Sequence, residues 1–270
     1  MTTQLLIDAD FVLFQACSAV ERESVFTNEA GHNVHILHTD RAEAKANFLR
    51  MIYRYVETLS ADEAILVFSG AENFRKTVWE DYKGNRAASR KPLGYWSIID
   101  ECREEGEFRV VAEPCLEGDD YIGILATRPS VAERIIVSDD KDMQTLPNVN
   151  LWRYWDGQSK PKSVRRTTVE SADEFWLYQT LMGDSTDGYK GCPGIGPVAA
   201  KKVLEKPGDP WENVLAAYRE AYRKDKDDDK AKWLGMEPDD LALMNARLAR
   251  ILRHTDWDSK LRRPILWQPE

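Results

Sequence analysis

Carboxylates are the residues best suited to chemistry in this chain, because they recur in tight groups. Glu117, Asp119 and Asp120 fall in LEGDD, Asp140 and Asp142 in SDDKD, Asp184 and Asp187 in GDSTDG, and Asp8 closes the run LLID. A single acid at a helix start is an ordinary cap, since it accepts unpaired N–H groups and opposes the positive end of the helix dipole. Three acids crowded into LEGDD repel one another unless cations neutralise them. Oxygen donors with no companion His or Cys suit hard ions such as Mg²⁺ or Mn²⁺ rather than zinc. Two such ions can clamp the attacking and leaving oxygens of a phosphate ester. The fitting chemistry is metal-assisted hydrolysis of phosphate esters.

Acids this far apart in sequence must be gathered by the fold. Short apolar runs at 5–7, 65–68, 110–112, 135–137 and 149–152 have the length and punctuation of buried parallel strands. Helical spacing separates them, with Phe48, Ile52, Tyr55 and Leu59 on one stripe and a second helix expected over 119–127. The class is therefore α/β, with a mainly parallel central sheet flanked by helices. In such sheets ligands lie beyond the carboxyl ends of the strands, where Asp8, Asp140 and Asp142 fall. Beyond residue 170 only helices are expected, over 173–182, 198–205, 211–223 and 239–253, giving an α/β unit over 1–180 and a helical region over 181–270. Leu241, Met244, Leu248 and Leu252 form a stripe suited to core packing. The mixed-charge run RKDKDDDKAK reads as a solvated helix end or loop.

Composition narrows the class further. A 270-residue chain with 43% hydrophobic residues can bury a core, and it contains no apolar run long enough to span a membrane. The start MTTQLLIDAD carries no cationic, apolar leader, so a cytoplasmic location is expected. Cys17, Cys102, Cys115 and Cys192 lack metal-binding spacing and are read as free thiols. His32, His35 and His38 would place His35 on the opposite face of a strand, which disfavours a metal site and suggests a surface turn. A net charge of −9 excludes coating of nucleic acid by bulk electrostatics. The eight clustered acids nearly equal that charge, so the acidity is concentrated in the candidate site.

In order, the chain reads LLIDAD, FRKTVWEDYKGNR, LEGDD, VSDDKDMQTL and LMGDSTDGYKGCPGIGPVAAKKVL. This series resembles the 5′-to-3′ exonucleases and flap endonucleases, nearest to the short phage exonucleases and the nuclease domain of bacterial DNA polymerase, over residues 4–206. The resemblance implies a PIN-like nuclease core. Asp8, Glu117, Asp119 and Asp120 would surround one metal region, with Asp140, Asp142, Asp184 and Asp187 nearer a second, for two Mg²⁺ or Mn²⁺ ions. It maps a YKGNR motif onto 82–86, making Tyr82 and Lys83 catalytic candidates. Lys83 and the upstream Arg75 would stand near the scissile phosphate and stabilise developing charge. The implied reaction is hydrolysis of duplex or branched DNA, extending to RNA paired with DNA, leaving 3′-hydroxyl and 5′-phosphate ends. The implied setting is phage replication, host DNA degradation or recombination in the host cytoplasm.

One position departs from the family. Where it carries a further aspartate after the second strand, VFSGAENF offers Ser69 or Gly70. Substitution by Glu72, replacement by water and impaired catalysis all remain open. The last keeps a catalytically silent, structure-specific DNA binder as the alternative; a PIN-type ribonuclease is a third reading, though that type usually lacks the hairpin described next.

Local basic excess offers a grip on DNA despite the net charge. Segments 75–91, including Arg86, and 153–166 are rich in Lys and Arg and suit phosphate contacts. In GCPGIGPVAAKKVL, Gly194, Ile195, Gly196 and Pro197 make a tight turn into a helix that carries Val198, Lys201 and Lys202. Glycines allow close backbone approach and the helix start offers unpaired N–H donors. A nucleotide-binding P-loop is excluded because Pro197, not Lys, follows the last glycine. The turn resembles the family's helix-hairpin-helix, which implies sequence-independent grip on duplex backbone and K⁺ binding through the hairpin carbonyls.

Overall fold

The computed structural model describes residues 2–86, 90–153, 163–225 and 232–269. The first part of the chain forms β1 (Thr3–Asp8), α1 (Ala9–Val20), β2 (Arg22–Thr27), β3 (Asn33–His38), α2 (Arg41–Thr58), β4 (Glu63–Phe68) and α3 (Arg75–Val78). It continues through α4 (Tyr95–Glu105), β5 (Arg109–Ala112), α5 (Gly118–Thr127), β6 (Glu133–Val137), β7 (Asn150–Trp152) and β8 (Arg165–Arg166). The remainder forms α6 (Val169–Met182), β9 (Gly183–Asp184), β10 (Tyr189–Lys190), α7 (Pro197–Leu204), α8 (Pro210–Lys224), α9 (Pro238–Ala249), β11 (Trp257–Asp258) and β12 (Arg263–Pro264).

The central sheet has the order β5-β4-β1-β6-β7-β8, parallel throughout except for the β7–β8 pair. Strand alternation explains its continuous apolar runs. On β1, Leu5 and Ile7 join the cluster built with α1, α2 and α4, whereas Leu6 faces a second cluster containing Ile122 of α5. β4 and β6 divide their side chains in the same way, so both faces of the sheet are buried. Asp8 pairs with Val67 and its neighbour Ile7 with Val137, so β1, β4 and β6 end at one level.

The expected α/β class is the class observed, with several elements the periodicity did not reveal. Of the histidine run, His35 and His38 lie on strand β3 of a β2–β3 hairpin rather than in a turn, and His32 sits in the connection just before it. No residue of that hairpin is buried, so no alternation of burial marked it in the sequence. His35 pairs with Glu23 and His38 with Ser24, on opposite faces. Beyond residue 170 the helices are interrupted by the β9–β10 and β11–β12 ladders. The last long helix ends at Ala249 rather than 253, because the backbone beyond it runs extended to serve a buried ion pair. Accordingly Leu241, Met244 and Leu248 pack in the helical cluster, while Leu252 joins Phe74, Leu116 and Ile124 elsewhere. Most of RKDKDDDKAK lies outside the described residues.

A buried polar network ties the helices to the loop that follows α6. The Tyr218 hydroxyl of α8 donates to the Thr180 carbonyl at 2.6 Å and accepts from Asn245 Nδ2 of α9 at 2.9 Å. Asn245 also donates to the Lys190 carbonyl on β10 at 3.0 Å. Tyr218→Phe leaves the Thr180 carbonyl without its donor, and a loss of about 1–3 kcal/mol in urea unfolding is expected.

Candidate active site

Four stretches of chain bring carboxylates to one cleft. Asp8 ends β1, Asp140 and Asp142 follow β6, Glu117 and Asp119 flank the start of α5, and Asp187 lies between β9 and β10. The cleft measures about 510 Å³ and is lined by these six acids together with Asp10, Lys83, Arg86 and Lys91. An adjoining lobe of about 400 Å³ shares Asp8, Asp140, Asp142 and Asp187 and adds Lys141 and Asp184.

Burial and mutual repulsion dominate the electrostatics. The Asp8 carboxyl is pushed up to about 7 by burial, then by Asp10, although it accepts the Ser138 hydroxyl at 2.9 Å. Burial and Asp140 push Asp142 up to about 6. Asp119 is raised by burial and by Asp140, Asp8 and Glu117. Glu117 behaves oppositely: burial works against its charge, but Lys83 and Arg75 outweigh it and hold the carboxyl below the usual range. Asp184 is likewise held low against burial by Lys141, which lies 2.6 Å away.

The chain's own cations stand among these acids. Lys83 bonds Glu117 closely and lies 3.5 Å from Asp187. Its backbone is left-handed, with φ +57°, and its N–H donates to the Asp187 carbonyl at 2.9 Å. Such a conformation in a non-glycine residue costs about 1–3 kcal/mol and is held only where its surroundings demand it. Burial keeps the Tyr82 phenol protonated, and it donates to Asp187 at 2.8 Å and to Glu117 at 3.1 Å. Arg86, expected to contact DNA, donates to the Thr186 carbonyl and to Asp187. Among the described residues, no three Asp, Glu, His or Cys side chains form a ready-made ion cage. The donor set nevertheless fits hard divalent ions: it is all oxygen, desolvated and short of positive charge.

Arg75 and Asp120 depart from their expected roles. Arg75 is 3% exposed and all five of its guanidinium N–H groups are used. Nε donates to the Leu248 carbonyl, Nη1 to Asp120 and Glu117, and Nη2 to Asp120 and the Arg250 carbonyl. No donor remains for a phosphate. Asp120 is wholly buried, takes both Arg75 nitrogens and the Leu252 N–H, and lines neither lobe. This pair fastens the segment after α9 to α5, and Leu248, Ala249 and Ile251 consequently line the cleft.

The position without the family aspartate is occupied differently. A Cβ at Gly70 would lie 2.1 Å from the Glu113 carbonyl, so no side chain fits. Glu72 is exposed and lines neither lobe. The carboxylate found beside this strand end is Asp10, which accepts the Ser69 N–H at 2.8 Å and the Tyr95 hydroxyl. Asp10 stands outside the acids expected from the sequence, and its proximity to Asp8 in DAD is the signal that marks it.

Away from the cleft, the Ile195 N–H donates to the Cys192 carbonyl and Gly194 has φ +77°, forming the expected turn. Gly196 caps α7, Pro197 is its first residue, Val198 is 70% exposed, and Lys201 and Lys202 are exposed. Of the second basic segment, Arg153 donates to the Asp139 carbonyl, whereas Lys160 and Lys162 lie outside the described residues.

Known proteins resemble the chain along most of its length. The profile described as "5'-3' exonuclease, N-terminal resolvase-like domain" matches residues 3–174. The exodeoxyribonuclease of Enterobacteria phage T3 is 32% identical, covering 98% of this chain and 92% of its own. The exonuclease of Escherichia phage T7 is also 32% identical, with coverage of 98% and 93%. Among solved structures, the bacteriophage T5 D15 flap endonuclease in a pseudo-enzyme-product complex with DNA and metal ions gives a TM-score of 0.63 at 15% identity. That match covers 92% of this chain and 89% of the other. The catalytic core of Rad2 with DNA substrate gives 0.57 at 15% identity, with coverage of 94% and 81%.

Two outcomes follow from the charges. Arg75→Ala leaves Asp120 buried and unpaired, so a loss of about 3–5 kcal/mol in urea unfolding is expected. A carboxyl whose folded pKa is raised contributes stability that is present below its unfolded value, 3.8 for Asp8, and is lost as pH rises through about 7. In EDTA, Asp8→Asn should therefore raise the thermal midpoint most at pH 8, less at pH 5 and barely at pH 3, where Asp8 carries its proton in both the folded and the unfolded chain.

Proposed function

The chain belongs to the 5′-3′ exonuclease family and is a nuclease of the phage exonuclease and flap endonuclease type; we propose that it cleaves duplex or branched DNA using two divalent ions, Mg²⁺ or Mn²⁺. The observation that carries this reading is the convergence of Asp8, Glu117, Asp119, Asp140, Asp142 and Asp187 on one cleft, with Lys83 among them. Held by these acids and Asp184, the ions would supply an activated water and neutralise charge on the phosphate. Asp120, tied to Arg75, is left out of the ligand set.

The protein's own groups have distinct work. Lys83 has its ammonium at the cleft surface, and although burial opposes its charge, Glu117 and Asp187 keep it protonated. It is placed to stabilise negative charge developing on the scissile phosphate. The single Tyr82 O–H, shared between Asp187 and Glu117, orients both. Arg75 acts through Glu117 and the segment after α9, as a positioning residue. The Gly194–Gly196 turn, with Val198, Lys201 and Lys202 beyond it, would grip duplex phosphates by backbone N–H groups and charge, with K⁺ at the hairpin carbonyls. The proposal extends to RNA in RNA/DNA hybrids and to phage replication, primer removal, host DNA degradation or recombination, and it treats Arg86 as a phosphate contact once Asp187 is engaged elsewhere. The helical region over 181–270 is proposed as the part that presents this grip to the α/β unit over 1–180.

The test uses 5′-labelled duplex and flap DNA, and RNA, with Mg²⁺ or Mn²⁺. Wild type is expected to release 5′-phosphate products from DNA. Lys83→Ala should lower the cleavage rate by about 10²–10³-fold. DNA that is bound but left uncut under every divalent ion would establish the silent binder, the reading suggested by Ser69 and Gly70; cleavage of RNA alone would establish the ribonuclease.

A further inference from the structure

Helix α6 buries a polar side chain. Gln179 is 3% exposed, on a helix where Trp176, Leu177 and Leu181 are also buried. Its amide nitrogen donates to Asp142 Oδ1 at 2.5 Å. The other end of the amide, Oε1, is buried without a hydrogen-bond partner. An orphan acceptor destabilises the fold, and Met would fill a similar volume without one. Reversing the amide gives no relief, because it would set Oε1 against a carboxylate oxygen. The benefit that offsets this defect lies at Asp142.

Asp142 lines both lobes of the cleft. Lys141 bridges it to Asp184, at 3.6 Å and 2.6 Å. The Gln179 and Lys141 contacts both fall on Oδ1, which restrains the carboxylate rotamer, and neither engages Oδ2. A neutral donor does this without cancelling charge, as a lysine would, or adding repulsion, as a glutamate would. Such outer hydrogen bonds set how well a carboxylate serves as a ligand.

We propose that Gln179 is a positioning residue which sets the affinity of the Asp142–Asp184 side of the cleft for a divalent cation by holding the Asp142 carboxylate in one orientation. The inference rests on the metal-dependent reading above and deepens it by assigning control of ion affinity to a side chain outside the cleft lining.

Two variants test it with Mn²⁺ as the probe, followed by calorimetry, thermal midpoint and cleavage rate. In Gln179→Met the orphan oxygen goes together with the hydrogen bond, so the metal-free midpoint should stay near wild type. The weaker Mn²⁺ dissociation constant should rise about 10-fold or more, and cleavage should recover as Mn²⁺ is raised. In Gln179→Glu the added carboxylate should lower the metal-free midpoint at pH 8 and tighten Mn²⁺ binding, the opposite direction. A Gln179→Met isotherm that overlays wild type, or lost activity that added Mn²⁺ does not recover, overturns the inference while wild-type cleavage keeps the nuclease reading. Wild type that neither binds Mn²⁺ nor cleaves overturns both.

Discussion

Seven carboxylates line one partly desolvated cleft, and the rest of the architecture answers the repulsion that follows. Parallel strands create the problem, because β1 and β6 end at one level and hand over to residues of like charge. Three of these acids are driven toward their protonated forms by burial and by one another, while Glu117 and Asp184 keep their charge through Lys83 and Lys141. The two lysines stand where external cations would also be drawn. An ion entering the cleft therefore competes with a tethered ammonium as well as with protons, and the strained backbone of Lys83 holds one competitor in place.

The same repulsion explains why the acids of LEGDD part ways. Glu117 and Asp119 remain at the cleft, while Asp120 turns inward to a guanidinium whose other donors hold the Leu248 and Arg250 carbonyls. A buried pair of this kind adds little net stability, yet removing one partner is severe. Its structural value is that α3, α5 and the extended chain after α9 become one unit. The chemical centre thus depends on residues near the C-terminal end, through backbone atoms rather than side-chain chemistry.

What could be read from the sequence divides along physical lines. β1, β4 and β6 were legible because both faces of a parallel sheet are buried and their apolar runs are continuous; the acids beyond β1 and β6 were legible because crowding like charge is costly without a purpose. The β2–β3 hairpin was not, since none of its side chains is buried. The true role of Arg75 was hidden because two of its acceptors are carbonyls 173 and 175 residues away, and a carbonyl has no signature in the sequence. Asp10 was hidden because it falls in the first turn of α1, where an acid is an ordinary partner of the helix dipole.

Gln179 shows a subtler limit. Within WLYQTLM it reads as one polar residue on a helix that could face water, and only its depth, together with an acceptor left unpaired, marks it as unusual. Apolar side chains announce their location by period. A buried amide announces its purpose only through its partner, here a carboxylate 37 residues earlier. Groups that tune a charged centre from behind are therefore harder to recognise in a sequence than those that line it: their residue type is ordinary, and the information lies in the pairing.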